Sequence, residues 1–355
     1  MDFEGIIFSW YRKNKRDLPW RLTRDPFRIW LSEVILQQTR VQQGLPYYHA
    51  FVKKYPVIKK LAEAPEDEVL KLWQGLGYYS RGRNLHFTAK QIVSEHKGVF
   101  PGTFEELKKL KGIGDYTAAA ISSFCFDEVQ PVVDGNVYRV LSRIFGIDTP
   151  IDSTAGKKEF RELAGELISK KHPGEFNQAM MEFGAIQCVP KNPDCGKCPF
   201  VQYCVARKKN LIDQFPVKSK KTKVTERYFY YLVIRHKGNL YLKKRTEQDI
   251  WKNLYDFPLI ELKEKVSEKK LPASAEWKSV FSEAVTGKQK PLVNNFSPEM
   301  KHLLSHQKIH ARFVEIELKE KLKGKNEWLY IKEADLQKYA VPRLIDLYIK
   351  GLNIE

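Results

Sequence analysis

The chain has 355 residues, more than the roughly 250–300 that one hydrophobic core supports, so we expect two domains. Its 61 Lys and Arg residues exceed its 43 Asp and Glu residues, which gives a net charge of +18 and fits a polyanionic partner such as nucleic acid. No apolar run approaches the ~18 residues that span a bilayer, and the start of the chain lacks the positive charge of a signal peptide. We therefore expect a cytoplasmic protein without a membrane segment, and the 43% hydrophobic content excludes a disordered chain.

The first part of the chain, residues 1–206, has the pattern of an almost entirely helical domain. Asp25-Pro26 is typical of a helix start and precedes a helical pattern over Phe27–Gln38. A second amphipathic stretch runs from Ser80 to Gly98, and Thr103-x-x-Glu106 is a capping box. The pattern predicts further helices near 115–125, 136–145, 155–171 and 175–187.

Residues 207–226 are predicted to be a basic interdomain linker. From 207 to 225 they carry seven Lys or Arg residues against the single acid Asp213, without helical or strand periodicity. Beyond it, residues 227–352 are predicted to form an α+β domain. Strands are expected over Tyr228–Ile234, Leu240–Leu242, 311–317 and 327–331, a hairpin turn at Lys237-Gly238 and a helix over 333–351.

Four cysteines, Cys188, Cys195, Cys198 and Cys204, lie within 17 residues and are separated by 6, 2 and 5 residues. Four sulfurs suit either a structural zinc ion or an iron–sulfur cluster, and packing cysteines are the third alternative. The spacing resembles the cluster loop of the endonuclease III superfamily of DNA glycosylases, which implies one 4Fe–4S cluster. Cys125, in an apolar helical stretch, is expected to be a packing residue.

Two glycines, Gly112 and Gly114, lie between predicted helices in Leu110-Lys111-Gly112-Ile113-Gly114. A tight turn is the simpler interpretation, but converging amides before a helix also suit a DNA phosphate. Residues 107–121 resemble the helix-hairpin-helix of the same superfamily. Lys111 replaces its usual proline, and Asp115 stands where many members have arginine.

Two carboxylates have the context that a glycosidic bond cleavage needs. Asp134 precedes a predicted helix and is either an ordinary N-cap or a carboxylate that stabilises a cationic sugar, and the two interpretations can coexist. Glu33 lies in an apolar helix, where it is either paired with a cation such as Arg40 or half-buried with a raised pKa. A raised pKa is what a general acid requires at neutral pH.

Four further segments resemble the MutY family of adenine DNA glycosylases, which remove adenine mispaired with 8-oxoguanine. They are Leu18–Arg21, Ser32–Thr39, Trp73–Arg81 and Val133–Val137. The resemblance implies a helical helix-hairpin-helix domain with a cluster loop, followed by a Nudix-like α+β domain, and covers nearly the whole chain.

The resemblance also implies roles for individual residues. Glu33 protonates adenine and later helps to activate water, Asp134 supports the oxocarbenium ion, and Tyr116 and Asn136 lie beside them. Arg21 and Glu182 flank the flipped adenine, and Gln38 and Tyr78 wedge into the duplex. Bifunctional relatives have a nucleophilic lysine at the position of Tyr116, so we expect a monofunctional enzyme that leaves an abasic site.

In the second domain, Leu303-Leu304-Ser305-His306 resembles the family loop that reads 8-oxoguanine, with Leu304 in place of phenylalanine. Ser305 can accept a hydrogen bond from N7–H, which 8-oxoguanine has and guanine lacks. No complete Nudix signature is present, so no magnesium pyrophosphohydrolase site is expected.

We expect a monomer that binds duplex DNA and is associated with the nucleoid; its protein partners are not predicted. Two alternatives remain open. One is an endonuclease III-like enzyme for oxidised pyrimidines, and the other is a cluster-bearing DNA-binding protein without catalysis. Tyr116 and the second domain disfavour the first, and the Glu33–Asp134 pair disfavours the second.

Overall fold

The computed structural model describes residues 1–219, 224–282 and 291–351. The chain divides into two compact units. One contains Met1–Glu63 and Asn84–Lys221, and the other contains Ala64–Arg83 and Thr222–Glu355. Part of the predicted basic linker, residues 220–223, lies outside the described residues.

The part of the chain before residue 209 is helical, as predicted. Its helices are α1 (Phe3–Asn14), α2 (Pro26–Leu36), α3 (Val41–Lys54), α4 (Ile58–Glu63), α5 (Glu66–Trp73), α6 (Tyr79–His96), α7 (Phe104–Leu107), α8 (Asp115–Phe126), α9 (Gly135–Phe145), α10 (Thr154–Leu167), α11 (Pro173–Ile186) and α12 (Val205–Lys208). The predicted starts agree with the local chemistry, because the Asp25 side chain accepts a hydrogen bond from the Phe27 amide and Thr103 accepts one from the Glu106 amide.

An aromatic core holds the helices of the first unit around the cysteine loop. Phe160, Phe183 and Phe200 are fully buried. Phe200 comes from the loop itself, and its ring centroid lies 4.7 Å from that of Phe3 and 5.4 Å from that of Phe183. The loop is therefore packed into the helical core and placed directly after α11.

In the second unit, the described residues from 224 onward form an eight-stranded sheet and two α-helices, in addition to α5 and the start of α6. The elements are β1 (Thr225–His236), β2 (Asn239–Lys244), β3 (Tyr255–Asp256), β4 (Leu259–Leu262), α13 (Ala275–Ser282), β5 (Leu292–Phe296), β6 (Met300–Leu303), β7 (Gln307–Glu317), β8 (Trp328–Lys332) and α14 (Arg343–Gly351). The strand order is β3-β2-β1-β7-β5, with β4 on β1, β6 on β7 and β8 on β2.

One long parallel pair forms the centre of this sheet. β1 and β7 run side by side from Thr225↔Gln307 to Arg235↔Glu317, while the other pairs are antiparallel. β6 and β7 form an antiparallel hairpin that pairs Met300 with Ala311 and Leu303 with Lys308, and residues 304–306 are its turn.

The helix predicted over 333–351 is wrong in its first half. A short 3₁₀ helix spans Glu333–Lys338, and α14 begins only after Pro342, because proline disfavours a helical residue before it.

Among the described residues, no helix has the length and apolar character needed to cross a membrane.

Candidate active site

A single cavity of about 440 Å³ in the first unit brings together seven of the predicted site residues. It is bordered by α2, α8, α9 and α11 and by the segment after α1. The predicted residues that line it are Arg21, Glu33, Gln38, Tyr116, Asp134, Asn136 and Glu182. Residues up to 166 positions apart in sequence thus meet at one place.

Glu33 lies on the inward face of α2 and is only 6% exposed. The hydroxyl of Tyr116, from α8, donates a hydrogen bond to its Oε2 atom. The pKa of Glu33 is raised to about 7, mainly by burial; the hydrogen bond from Tyr116 and the charge of Arg21 oppose the rise, and the negative charge of Asp134 adds to it. Of the two alternatives for this residue, the structure shows the buried carboxyl with a raised pKa.

Asp134 is the N-cap of α9. Its Oδ1 atom accepts hydrogen bonds from the amides of Asn136 and Val137 at 2.9 and 2.8 Å, and its Oδ2 atom accepts one from the Asn136 side chain at 2.7 Å. Burial raises the pKa of Asp134, although these hydrogen bonds and Arg139 oppose the shift. The direction is opposite to the effect expected from the helix terminus alone.

Arg139 fixes the orientation of Asn136. Its Nη2 atom donates to Asn136 Oδ1 at 3.0 Å and to the Gly184 carbonyl at 2.6 Å, while its Nε atom donates to the Cys188 carbonyl at 2.7 Å. One guanidinium on α9 therefore connects the Asp134–Asn136 pair with the first cysteine of the cysteine loop.

Glu182 is 1% exposed, and two arginines donate hydrogen bonds to its carboxylate. Arg16 donates through its amide, Nε and Nη2 atoms at 2.9, 2.8 and 2.6 Å, and Arg21 donates through Nη2 at 2.7 Å. Burial alone would raise the pKa of Glu182, but these hydrogen bonds outweigh it and lower the pKa to about 2. The carboxylate is thus a fixed anion that holds Arg21 at the cavity.

Arg16 and Gln178 are among the polar lining residues that were not predicted from the sequence. Gln178 precedes Glu182 by one helical turn on α11, so the helical period was a signal that could have found it. Its Oε1 atom accepts a hydrogen bond from the Tyr11 hydroxyl at 3.0 Å, and its amide group supplies donors at the cavity. Arg16 lies in an irregular basic segment and carried no such signal.

The predicted hairpin joins α7 and α8. Gly112 has φ of +80°, and a side chain there would meet Asn84 at 2.7 Å, so the turn requires glycine. Lys111, the departure from the usual proline, donates its amide to Gln91 at 3.2 Å and places its ammonium 4.2 Å from the centroid of the Phe87 ring. The hairpin is thus tied to α6 by this lysine.

Gln38 in the first unit and Tyr78 in the second each have a left-handed backbone, with φ of +58° and +45°. Such conformations are uncommon outside glycine and cluster at functional sites. Within the second unit, the Tyr78 hydroxyl and the Ser305 hydroxyl are hydrogen-bonded at 2.7 Å. Ser305 and His306 are both exposed in the β6–β7 turn.

The four predicted cysteine ligands line one small cavity of the first unit. The buried guanidinium of Arg143 donates to the carbonyls of Val189 and Pro190 at 2.8 and 2.9 Å, which fixes the loop after Cys188. Within the described ranges, no group of three or more His, Cys, Asp or Glu side chains is arranged to hold a metal ion. Cys125, by contrast, is buried in α8, as expected for a packing residue.

Comparisons with known proteins agree with both units. The family of HhH-GPD superfamily base excision DNA repair proteins matches residues 31–170, and the NUDIX domain family matches residues 229–351. A solved thermostable thymine-DNA glycosylase is similar with a TM-score of 0.55 and 30% identity, over 58% of this chain and 95% of that one.

Curated relatives give the more specific assignment. The adenine DNA glycosylase of Buchnera aphidicola subsp. Acyrthosiphon pisum (strain APS) is 37% identical over 263 residues, which are 74% of this chain and 75% of that protein. The Homo sapiens adenine DNA glycosylase is 45% identical over 216 residues, 58% of this chain and 40% of the human protein. The chain therefore belongs to the adenine DNA glycosylase family, with a helix-hairpin-helix glycosylase fold followed by a Nudix-like domain.

Proposed function

We propose that this protein hydrolyses the N-glycosidic bond of adenine paired with 8-oxoguanine or guanine in duplex DNA and leaves an abasic site. The observation that carries the proposal is one cavity with two carboxyl groups in different hydrogen-bond environments, Glu33 buried and Asp134 half-buried. Glu33 and Asp134 divide the work as the carboxyl pair of a glycosidase does. The target base must leave the duplex to reach this cavity, so the reaction requires base flipping.

Glu33 is the general acid. With a pKa of about 7, a large fraction of Glu33 is protonated at neutral pH, and that proton goes to N7 of the flipped adenine. The C1′–N9 bond then breaks with its electron pair on the departing base. The Glu33 carboxylate that remains accepts a proton from the water that adds to C1′, and this transfer restores the acid.

Asp134 and Asn136 stabilise the cationic sugar. Three hydrogen bonds to Asp134 favour its carboxylate form and fix its position, and Arg139 holds Asn136 in turn. A negative charge that is already in place beside the developing oxocarbenium ion stabilises it without rearrangement. Tyr116 supplies a phenol and no amine, so no Schiff base forms and the DNA strand stays intact.

The remaining cavity residues recognise and hold the base. Arg21, held by Glu182, and the amide group of Gln178 supply donors for the ring nitrogens of adenine. Gln38 and Tyr78 enter the duplex where the base has left, and their left-handed backbones project them from short turns. The amides of Gly112 and Gly114 hold a DNA phosphate and position the duplex without reading its sequence.

Ser305 and His306 read the opposite base. Both are exposed at the β6–β7 turn, and the Ser305 hydroxyl is oriented by its hydrogen bond with Tyr78. The Ser305 oxygen accepts from N7–H of 8-oxoguanine, whereas N7 of guanine offers only an acceptor. We assign residues 1–206 to the glycosylase domain and 227–352 to this recognition domain; residue 352 lies outside the described ranges.

Cys188, Cys195, Cys198 and Cys204 would hold one 4Fe–4S cluster. Their sulfurs share one cavity, and four thiolates are the usual ligand set of such a cluster. Such a cluster would cross-link the loop and so support the carbonyl of Cys188 that Arg139 contacts.

The overall reaction is tested with duplexes that carry adenine opposite 8-oxoguanine, guanine or thymine. Adenine should be released opposite the first two, and the strand should break only after alkali, because Tyr116 cannot form a Schiff base. A duplex with thymine opposite guanine is the control. Release of thymine in place of adenine, or strand cleavage without alkali, would contradict the proposal.

Substitution of Glu33 tests its role as the acid. Glu33→Gln keeps the shape and loses the proton, so single-turnover excision should fall by about 10²–10⁴-fold or more. In the wild type, excision should fall as the pH rises through about 7, because the pKa of Glu33 is raised and the protonated form is the active one. A rate that is flat from pH 6 to 9, roughly the range that brackets this pKa, would exclude Glu33 as the proton donor.

Asp134→Asn separates capping from catalysis. Asparagine caps a helix as well as aspartate does, so the thermal unfolding midpoint should change little. The negative charge is lost, and single-turnover excision should fall by about 10²-fold or more, the effect of removing one electrostatic contact to a transition state. Near-normal excision by this variant would show that Asp134 acts only as the N-cap of α9 and has no part in catalysis.

Ser305→Ala with His306→Ala tests lesion reading. One discriminating contact is worth about 1–3 kcal/mol, so the preference for adenine opposite 8-oxoguanine over guanine should shrink by roughly ten-fold or more. The rate opposite guanine should change much less. Lys301→Ala, at an exposed position on β6, is the matched control. An unchanged preference ratio in the double variant would place lesion reading elsewhere.

A further inference from the structure

Lys108, Asp115 and Arg161 form a charged cluster beside the hairpin, and we call it the hairpin cluster. Lys108 Nζ lies 2.9 Å from Asp115 Oδ1, and Arg161 Nη1 lies 3.9 Å from Asp115 Oδ2. Both cations also lie 5.0 Å from the ring centroid of Phe104, which is buried. Contacts to one fixed aromatic ring and one carboxylate hold two flexible cations in place.

The cluster adjoins the glycines to which we assign a DNA phosphate. Asp115 is the first residue of α8 and directly follows Gly114, which is the N-cap. The hydrogen bond from Lys108, followed by the charges of Lys108, Arg161 and Lys157, lowers the pKa of Asp115, so its carboxylate is ionised at neutral pH. The cluster has two cations and one acid, so it keeps a net positive charge, and Lys157 adds a further positive charge nearby.

The side chains are also open to a ligand. Lys108 is 37% exposed, Arg161 44% and Asp115 65%. An exposed ion pair contributes little to folding stability, and an acid in the first turn of α8 adds only the modest stabilisation that a helix N-terminus gives a negative charge. A phosphate next to Gly114 would lie within a Debye length of all three charges, where the cations attract it and the carboxylate repels it.

We propose that Lys108 and Arg161 form a second contact to the DNA backbone next to the hairpin, and that Asp115 weakens this contact by competing with the phosphate for both cations. The inference rests on the proposed DNA binding of the hairpin. The ligand is a phosphodiester, so the contact applies to any duplex and carries no sequence or lesion information. Asp115 thereby limits the time that the enzyme spends on undamaged DNA.

The test is the salt dependence of binding to an undamaged duplex, measured with the full chain by fluorescence anisotropy. Lys108→Gln and Arg161→Gln should each weaken binding and reduce the slope of log affinity against log salt by about 0.9, the value for one phosphate contact. Asp115→Asn should tighten binding several-fold and steepen the slope. Lys158→Gln is the matched control, since Lys158 is a 75% exposed cation on α10 that pairs with Glu162 at 3.8 Å.

A double variant distinguishes competition from a general charge effect. If Asp115 acts through Lys108, Asp115→Asn should tighten binding less when Lys108 is already glutamine. Equal tightening in both backgrounds, or slopes for Lys108→Gln and Arg161→Gln that match Lys158→Gln, would overturn the inference. Adenine release by the wild type is scored separately, so a failure of the proposed function and a failure of this contact give different results.

Discussion

The burial of the Glu33 carboxyl is the constraint on which the site depends. Raising the pKa of Glu33 from 4.5 to about 7 corresponds to a cost of about 3 kcal/mol for the charged form. This cost is absent below pH 4.5, grows as the pH rises from about 4.5 to about 7, and is complete above about 7, because in that window the unfolded chain has lost the proton that the folded chain still holds. The cost arises because α2 is buried on several sides and the Glu33 carboxyl receives a hydrogen bond from Tyr116 in place of the water that would solvate its charge.

Asp134, the second carboxyl group of the cavity, has several hydrogen-bond donors where Glu33 has one. Asp134 accepts three hydrogen bonds, and Arg139 extends that network to the backbone of the cysteine loop. Burial raises the pKa of both carboxyls, but only Glu33 has a single donor to oppose it. Two similar side chains in one cavity are thereby suited to different roles, one as an acid and one as a fixed charge.

Local patterns predicted much of this from the sequence. The N-cap at Asp134, the N-cap at Thr103 and the glycine turn at Gly112 each depend on a few adjacent residues, and the structure has all three, although the Glu106 side chain contacts the Thr103 hydroxyl in place of its amide. The parallel pairing of β1 with β7 was not predicted, because its partners lie 82 residues apart at every rung. The break before α14 was also missed, although Pro342 marks it.

Side-chain partners were the least predictable part of the site. Asp115 stands where many members of the superfamily have arginine, and its pairing with Lys108 and Arg161 depends on how α10 packs, which no local pattern gives. The hydrogen bonds from Arg16 to Glu182 likewise depend on where an irregular segment packs, and the two residues are 166 positions apart in the sequence.

The central claim is that Glu33 is protonated near neutral pH, and a direct titration tests it most simply. Protein labelled with ¹³C at glutamate carboxyls is titrated by NMR, and the Glu33 signal is assigned by its absence in Glu33→Gln. The account predicts a midpoint near 7, with Tyr116→Phe moving it upward because the hydroxyl no longer stabilises the carboxylate. A midpoint near 4.5, the ordinary value for glutamate, would contradict the account.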